Sequence, residues 1–168
     1  MESWEIQKPV AGPRKVGCRG ERDDKPDFRD SPGFLIRRLN QMAGQAFTDI
    51  ANGNGHDLTP VQFAALNALE SNPGIDQASL AGMIAYDRVT IGGVVGRLIE
   101  KGYVDRRTNS RDRRARELFL TDAGRDLLAR FWPLIPDIQD RILENLQPGE
   151  KDALVGLLRR AIYGASEA

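Results

Sequence analysis

The stretch from Asp87 to Thr121, DRVTIGGVVGRLIEKGYVDRRTNSRDRRARELFLT, constrains this chain more than any other. Ile91, Val94, Val95 and Leu98 fall at i, i+3, i+4 and i+7, a spacing that places one apolar stripe along a helix. Gly102 ends that helix, since glycine enters a left-handed C-terminal turn without steric penalty. Tyr103 to Thr108 and Ala115 to Leu120 then read as two short strands, joined by the tip Asn109-Ser110-Arg111-Asp112-Arg113-Arg114. The segment is therefore expected to be a helix followed by a basic hairpin.

The net charge of the chain is zero, with Lys+Arg 24 against Asp+Glu 24, but the balance is local. Between Lys101 and Arg116 the cations Lys101, Arg106, Arg107, Arg111, Arg113, Arg114 and Arg116 face only Asp105 and Asp112. A basic segment on a neutral chain suits a localised polyanion contact; a solvated charged hairpin is the plain alternative. With one His, one Cys, no metal-binding cluster and no glycine-rich phosphate loop after a strand, neither an enzyme nor a cofactor is expected. Cys18 has no intrachain disulfide partner and reads as a bystander thiol. No stretch has the apolar length of a membrane span and the N-terminus lacks a hydrophobic signal core, so a soluble cytoplasmic protein with no membrane partner is expected.

Residues 1–30 mix glycine, proline and charge without an apolar period, as a flexible arm would. Ser31-Pro32 opens a helix with Leu35, Leu39, Met42 and Ala46 on one side, running to about Ala51. Thr59-Pro60-Val61-Gln62 combines a capping box with proline at the first helical position, and the second helix turns Phe63, Leu66 and Leu69 inward. Asp76 caps a short third helix with Leu80, Met83 and Ile84 as its buried side. Thr121-Asp122 restarts a helix carrying Leu127, Leu128, Phe131 and Trp132, which Pro133 and Pro136 kink or interrupt. Pro148 begins a last helix with Leu154, Leu157, Leu158 and Ile162 on one face.

Two short helices with a tight turn, the second leading into a basic hairpin, make a winged helix-turn-helix. The expected fold is mainly α (α+β), with a two-stranded β wing and a helical dimerisation region formed by the N- and C-terminal helices. Residues 57–121 form the DNA-binding domain, and 31–56 with 122–168 the dimerisation region. If Ile91, Val94 and Leu98 face the core, then Val89, Thr90, Gly92, Gly93, Gly96 and Arg97 point outward, with Arg88 near the helix start. Arginine can pair with guanine O6 and N7, Thr90 can bond to base or phosphate, and Val89 can meet a thymine methyl. The first amides of the helix offer a further place for phosphate. Three glycines cost about 1 kcal/mol each relative to alanine. They either admit a close backbone approach to DNA or relieve crowding against a neighbouring helix.

Leu98-Ile99-Glu100-Lys101-Gly102-Tyr103-Val104-Asp105-Arg106, the tip Asp112-Arg113-Arg114, and Leu118-Phe119-Leu120-Thr121-Asp122-Ala123-Gly124 together resemble the MarR family of bacterial transcription regulators. The likeness spans about Ser31 to Tyr163. It implies a homodimer on a palindromic operator in double-stranded DNA, repressing its own operon or a neighbouring gene. It also implies release by a small aromatic ligand, often a carboxylate, bound between the dimerisation helices and the winged domain. Asp112 matches the acid that steadies the wing, and Arg111, Arg113 and Arg114 supply the arginine for a narrow minor groove. Gly96 stands where relatives often carry an acid, so a salt bridge expected there is absent.

For the ligand, Arg37 or Arg38 of the first helix is a candidate for a bidentate carboxylate contact, and His56 for an added hydrogen bond. Asp87-Arg88-Val89-Thr90-Ile91-Gly92-Gly93-Val94 is similar to relatives controlling aromatic-acid breakdown, with an aromatic acyl-CoA thioester as the other candidate effector. The alternatives are a winged-helix module that binds only protein, indifferent to loss of the wing arginines, and a redox-responsive regulator using Cys18.

Overall fold

A computed structural model describes residues 27–109 and 116–164. The expectations for Cys18, Arg111, Asp112, Arg113 and Arg114 lie outside the described residues. At the end of the expected arm, Phe28–Asp30 is a 3-10 turn capped by Asp27, and the Phe28 ring meets Phe34 edge-on at 5.5 Å.

Each main helix begins where its sequence offers a cap. Ser31 accepts the Phe34 N–H at the start of α1 (Pro32–Gly53). Thr59 and Gln62 close a reciprocal capping box on α2 (Pro60–Ser71). Asp76 caps α3 (Gln77–Met83), Asp87 caps α4 (Arg88–Glu100), and Thr121 caps α5 (Asp122–Phe131). Pro133 and Pro136 act as interruptions: a 3-10 turn over Trp132–Leu134 separates α5 from α6 (Ile135–Ile142). Gln147 and Glu150 form the capping box of α7 (Pro148–Tyr163). Among the described residues no helix is long and apolar enough to cross a membrane.

One apolar cluster joins Phe47 of α1, Leu66 and Leu69 of α2, Leu80 of α3, the α4 stripe, and Leu128 and Phe131 of α5. Ile91, Val94, Val95 and Leu98 are all buried, as their spacing requires. Strands β1 (Val104–Thr108) and β2 (Arg116–Leu120) pair antiparallel, with Val104 opposite Leu120 and Thr108 opposite Arg116. The loop before α3 adds a second pairing. Gly74 N–H donates to the Leu118 carbonyl at 2.9 Å, Leu118 N–H donates to Ile75 at 3.0 Å, and Asp76 bridges Glu117. That pairing ties the wing to the helix-turn-helix.

One apolar expectation changes. Met83 is 52% exposed, because α3 ends there and only Leu80 and Ala81 of that helix are buried. Trp132 is 44% exposed, since the 3-10 turn rotates it away from the Phe131 side of the core. Leu35 and Met42 on α1 are exposed, and α7 buries none of its residues within the protomer. Leu157, Ile162 and Tyr163 of α7 therefore present apolar surface to the outside.

Candidate nucleic-acid interface

Two aspartates set the geometry of the helix pair. Asp76 Oδ1 accepts the N–H groups of Ala78 and Ser79 at 2.8 and 3.0 Å, and Oδ2 accepts the Ser79 hydroxyl at 2.7 Å. Asp87 repeats the device, with Oδ1 taking Val89 and Thr90 N–H at 3.0 and 2.8 Å and Oδ2 the Thr90 hydroxyl at 2.5 Å. These bonds stabilise the charged carboxylates, the Ser79 and Thr90 hydroxyls most, and hold both groups below the ordinary aspartate range. Between the helices the chain turns sharply through Ala85, at φ 56°, and Tyr86 N–H returns to the Ala81 carbonyl at 2.9 Å.

The expected phosphate seat on the first α4 amides is filled by Asp87 itself, whose negative charge would also repel an anion there. Thr90 donates its hydroxyl proton to that cap and keeps only acceptor capacity toward a groove. The rest of the outward face is open. Val89 is 88% exposed, and Arg88, Gly93 and Arg97 are exposed beside it. A Cβ at Gly92 would meet Gln77 Nε2 at 3.3 Å, the movable end of a flexible side chain, so crowding against α3 is mild there. It is absent at the other two. A Cβ at Gly93 meets only Arg97 Nη2 at 4.0 Å, and one at Gly96 meets nothing within 4 Å. At the far end, Lys101 Nζ binds the carboxylate and carbonyl of Asp57 at 2.6 and 3.0 Å and fixes the C-terminus of α4.

The pleat divides the wing arginines. Arg106 and Arg116 share the inner face with buried Val104, Leu118 and Leu120, whereas Asp105, Arg107 and Phe119 share the outer one. Arg107 pairs with Asp105 at 3.3 Å and lies 4.7 Å above the Phe119 ring. Arg106 and Arg116 were not among the expected site residues. Strict alternation from Val104 marks them.

A separate apolar cavity of about 440 Å³ opens between α1, α2 and α6, lined by Asn40, Gly44, Phe47, Phe63, Tyr86, Trp132 and Gln139 among others. Phe47, Phe63 and Phe131 pack with ring centroids 4.9–5.9 Å apart beneath it. Its other wall reaches Tyr86, the residue before the α4 cap. None of Arg37, Arg38 and His56 lines this cavity in the single protomer. Arg37 lies on the stripe of Asn40, Gly44 and Phe47 but one turn earlier, in a cleft beside Phe28 and Phe34. Arg38 donates to Gln41 at 3.4 Å. His56 meets the Phe131 ring edge-on at 5.5 Å and faces a polar cleft with Asp57, Lys101 and Arg130.

The MarR family model matches residues 56–115, the loop before α2 through the wing tip. The transcriptional repressor NicR of Pseudomonas putida is 34% identical over 141 residues, covering 83% of this chain and 88% of that protein. The chain belongs to the MarR family. Among solved MarR-like structures, Bordetella bronchiseptica BpsR, whose DNA binding is regulated by 6-hydroxynicotinic acid, superposes with a TM-score of 0.75 at 28% identity. That match covers 84% of this chain and 99% of BpsR. The PcaV transcriptional regulator of Streptomyces coelicolor, solved with its natural ligand, gives a TM-score of 0.73 at 31% identity over 83% of this chain and 97% of PcaV. In this MarR chain the wing, the α3–α4 pair and the cavity are thus set on the architecture of transcriptional regulators.

Proposed function

We propose that this MarR protein is a homodimeric, sequence-specific repressor, released from a palindromic operator by a small aromatic acid or a related aromatic ligand. The observation that carries the DNA reading is the α4 face: an 88% exposed valine between arginines, beside two glycines that packing does not require. Val89, Thr90, Gly93 and Arg97 read the major groove beside Arg88 at the helix start, with Gly93 and Gly96 letting the backbone come close. Asp112 pairs with one of Arg111, Arg113 and Arg114 to hold the wing tip, and at least one other enters the adjacent minor groove. The exposed apolar residues Leu35 and Ile36 of α1 and Leu157, Ile162 and Tyr163 of α7 supply the dimer surface.

The cavity supports the effector reading. Aromatic walls suit a ring, Asn40 and Gln139 offer hydrogen bonds, and Arg37 is the cation nearest on the same α1 stripe to take a carboxylate. The regulation of BpsR by 6-hydroxynicotinic acid favours this ligand class. Because Tyr86 forms part of the wall and precedes the Asp87 cap, an occupant that shifts Tyr86 tilts α4. A coupling of about 1 to 3 kcal/mol lowers DNA affinity roughly 5- to 150-fold.

The test is to select duplexes from a random pool with the purified protein, then titrate the complex with benzoate, hydroxybenzoates and 6-hydroxynicotinate. Trp132 in the cavity wall reports occupancy by fluorescence. Enrichment of one palindrome, with an acid that both alters Trp132 emission and releases DNA, is the expected outcome. Failure to enrich any sequence would overturn the DNA reading, and an operator complex indifferent to every acid would overturn the effector reading.

A further inference from the structure

Building on α4 and the wing as the DNA contact, we propose that the cleft between them is a seat for one backbone phosphate diester of the duplex, held by Arg88, Arg106 and Arg116. The cleft measures about 490 Å³ and is bounded by these arginines together with Asp76, Gln77 and Leu118. Arg88 comes from the first turn of α4, Arg106 from β1 and Arg116 from β2, so three elements converge on one space. Among the described residues neither Arg88 nor Arg106 has a hydrogen-bond or salt-bridge partner, and Arg116 donates to the Thr108 hydroxyl, a neutral group. The one acid in the lining is Asp76, and both of its oxygens are committed to the α3 cap.

Folding gives little reason for this arrangement, because three like charges gathered around one carboxylate already held by its cap repel one another. An anion does. The position of the cleft identifies which one. On one side stands the exposed face of α4, shaped for a major groove, and on the other the wing, which leads into the neighbouring groove. The strand that separates two grooves crosses between them, and its phosphates are the only anions duplex DNA offers there. With the α4 amides closed by Asp87, the guanidiniums take over the contact that fixes register.

The experiment measures affinity against salt for wild type and for Arg106→Gln/Arg116→Gln, on the selected operator and on an unrelated duplex. The dimer carries two such seats, so losing both lowers the slope of log K against log salt by about 1.8, a difference of about 12-fold across a fourfold salt range. Affinity is expected to fall by the same factor on both duplexes, with the melting temperature no lower than wild type. Adding Arg88→Gln is expected to leave the slope loss at about 1.8, since the three groups of each protomer serve one phosphate. Arg106→Gln alone tests the seat if the double variant fails to fold. An unchanged slope, a slope loss of about 3.6 or more, or weakening confined to the operator would each overturn the seat while wild-type binding keeps the DNA reading intact. Wild type without DNA affinity would remove both. Saturable stabilisation by millimolar inorganic phosphate, with unaltered DNA affinity in the variants, would assign the cleft to a free anion and refute the proposal.

Discussion

Gly124→Ala and Gly93→Ala make the same chemical change in two helices and are expected to have opposite effects. At Gly124 a Cβ would overlap the Tyr103 carbonyl oxygen, with Leu120 Cδ2 at 3.0 Å and Tyr103 C at 3.2 Å. That carbonyl is backbone and cannot rotate aside. It accepts the Thr121 N–H at 3.1 Å, while the Thr121 hydroxyl donates to Gly102 at 2.7 Å and accepts the Gly124 N–H at 3.0 Å. Overpacking of this kind costs about 1–3 kcal/mol. Straining the Thr121 bond adds about 0.5–1.5 kcal/mol. The gain in helix propensity returns at most about 1 kcal/mol. The net loss is about 2 kcal/mol, or about 4–8 °C in melting temperature for a chain of this size. At Gly93 the methyl group meets only Arg97 Nη2 at 4.0 Å. There the propensity term acts alone, and stability should rise by about 1 kcal/mol. Circular dichroism melts and urea titrations at one fixed protein concentration compare the variants, which removes differences from dimer dissociation. A Gly124→Ala protein that melts with wild type, or a Gly93→Ala protein that melts below it, would refute the packing argument.

Three further outcomes are expected. Asp87 has a depressed pKa, so its stabilising cap is complete above the unfolded aspartate value and is lost as pH falls through the folded one; carbon-detected NMR should find it titrating below ordinary aspartates, with Val89 and Thr90 amide protection lost in step. Gly44→Leu puts a side chain into the cavity, where a Cβ has nothing within 4 Å, and should abolish the Trp132 response to aromatic acids while DNA affinity stays within about twofold. Gly93→Leu should fold normally yet lower operator affinity at least tenfold, about 1.4 kcal/mol; unchanged affinity would remove the close-approach role of that glycine.

Local chemistry made most elements legible. A cap needs only the residues within one turn, so Ser31-Pro32, Thr59 with Gln62, Asp76 and Thr121 could be read directly, whereas Asp87 reads as a turn and hides its hold on the α4 amides. The α4 stripe was equally plain, because its apolar period is undisturbed. Met83 failed because it ends a seven-residue helix, where the end of α2 reaches it only through the Asn72 amide and leaves it half exposed. The cavity was illegible for a different reason: Asn40, Tyr86, Trp132 and Gln139 are distant in sequence, and no periodicity joins them. Arg106 and Arg116 fall between these cases. Their pairing partners are distant, but the pleat that turns them inward is set by Val104 two residues before Arg106.

The most direct test of paired reading heads is a hydroxyl-radical footprint of the purified protein on its selected duplex. Two protected half-sites on one face of the DNA, centred about 10 base pairs or about 34 Å apart, are the expected result. Protection of a single half-site by a protein sedimenting as one protomer would contradict the dimeric winged helix-turn-helix as the working unit.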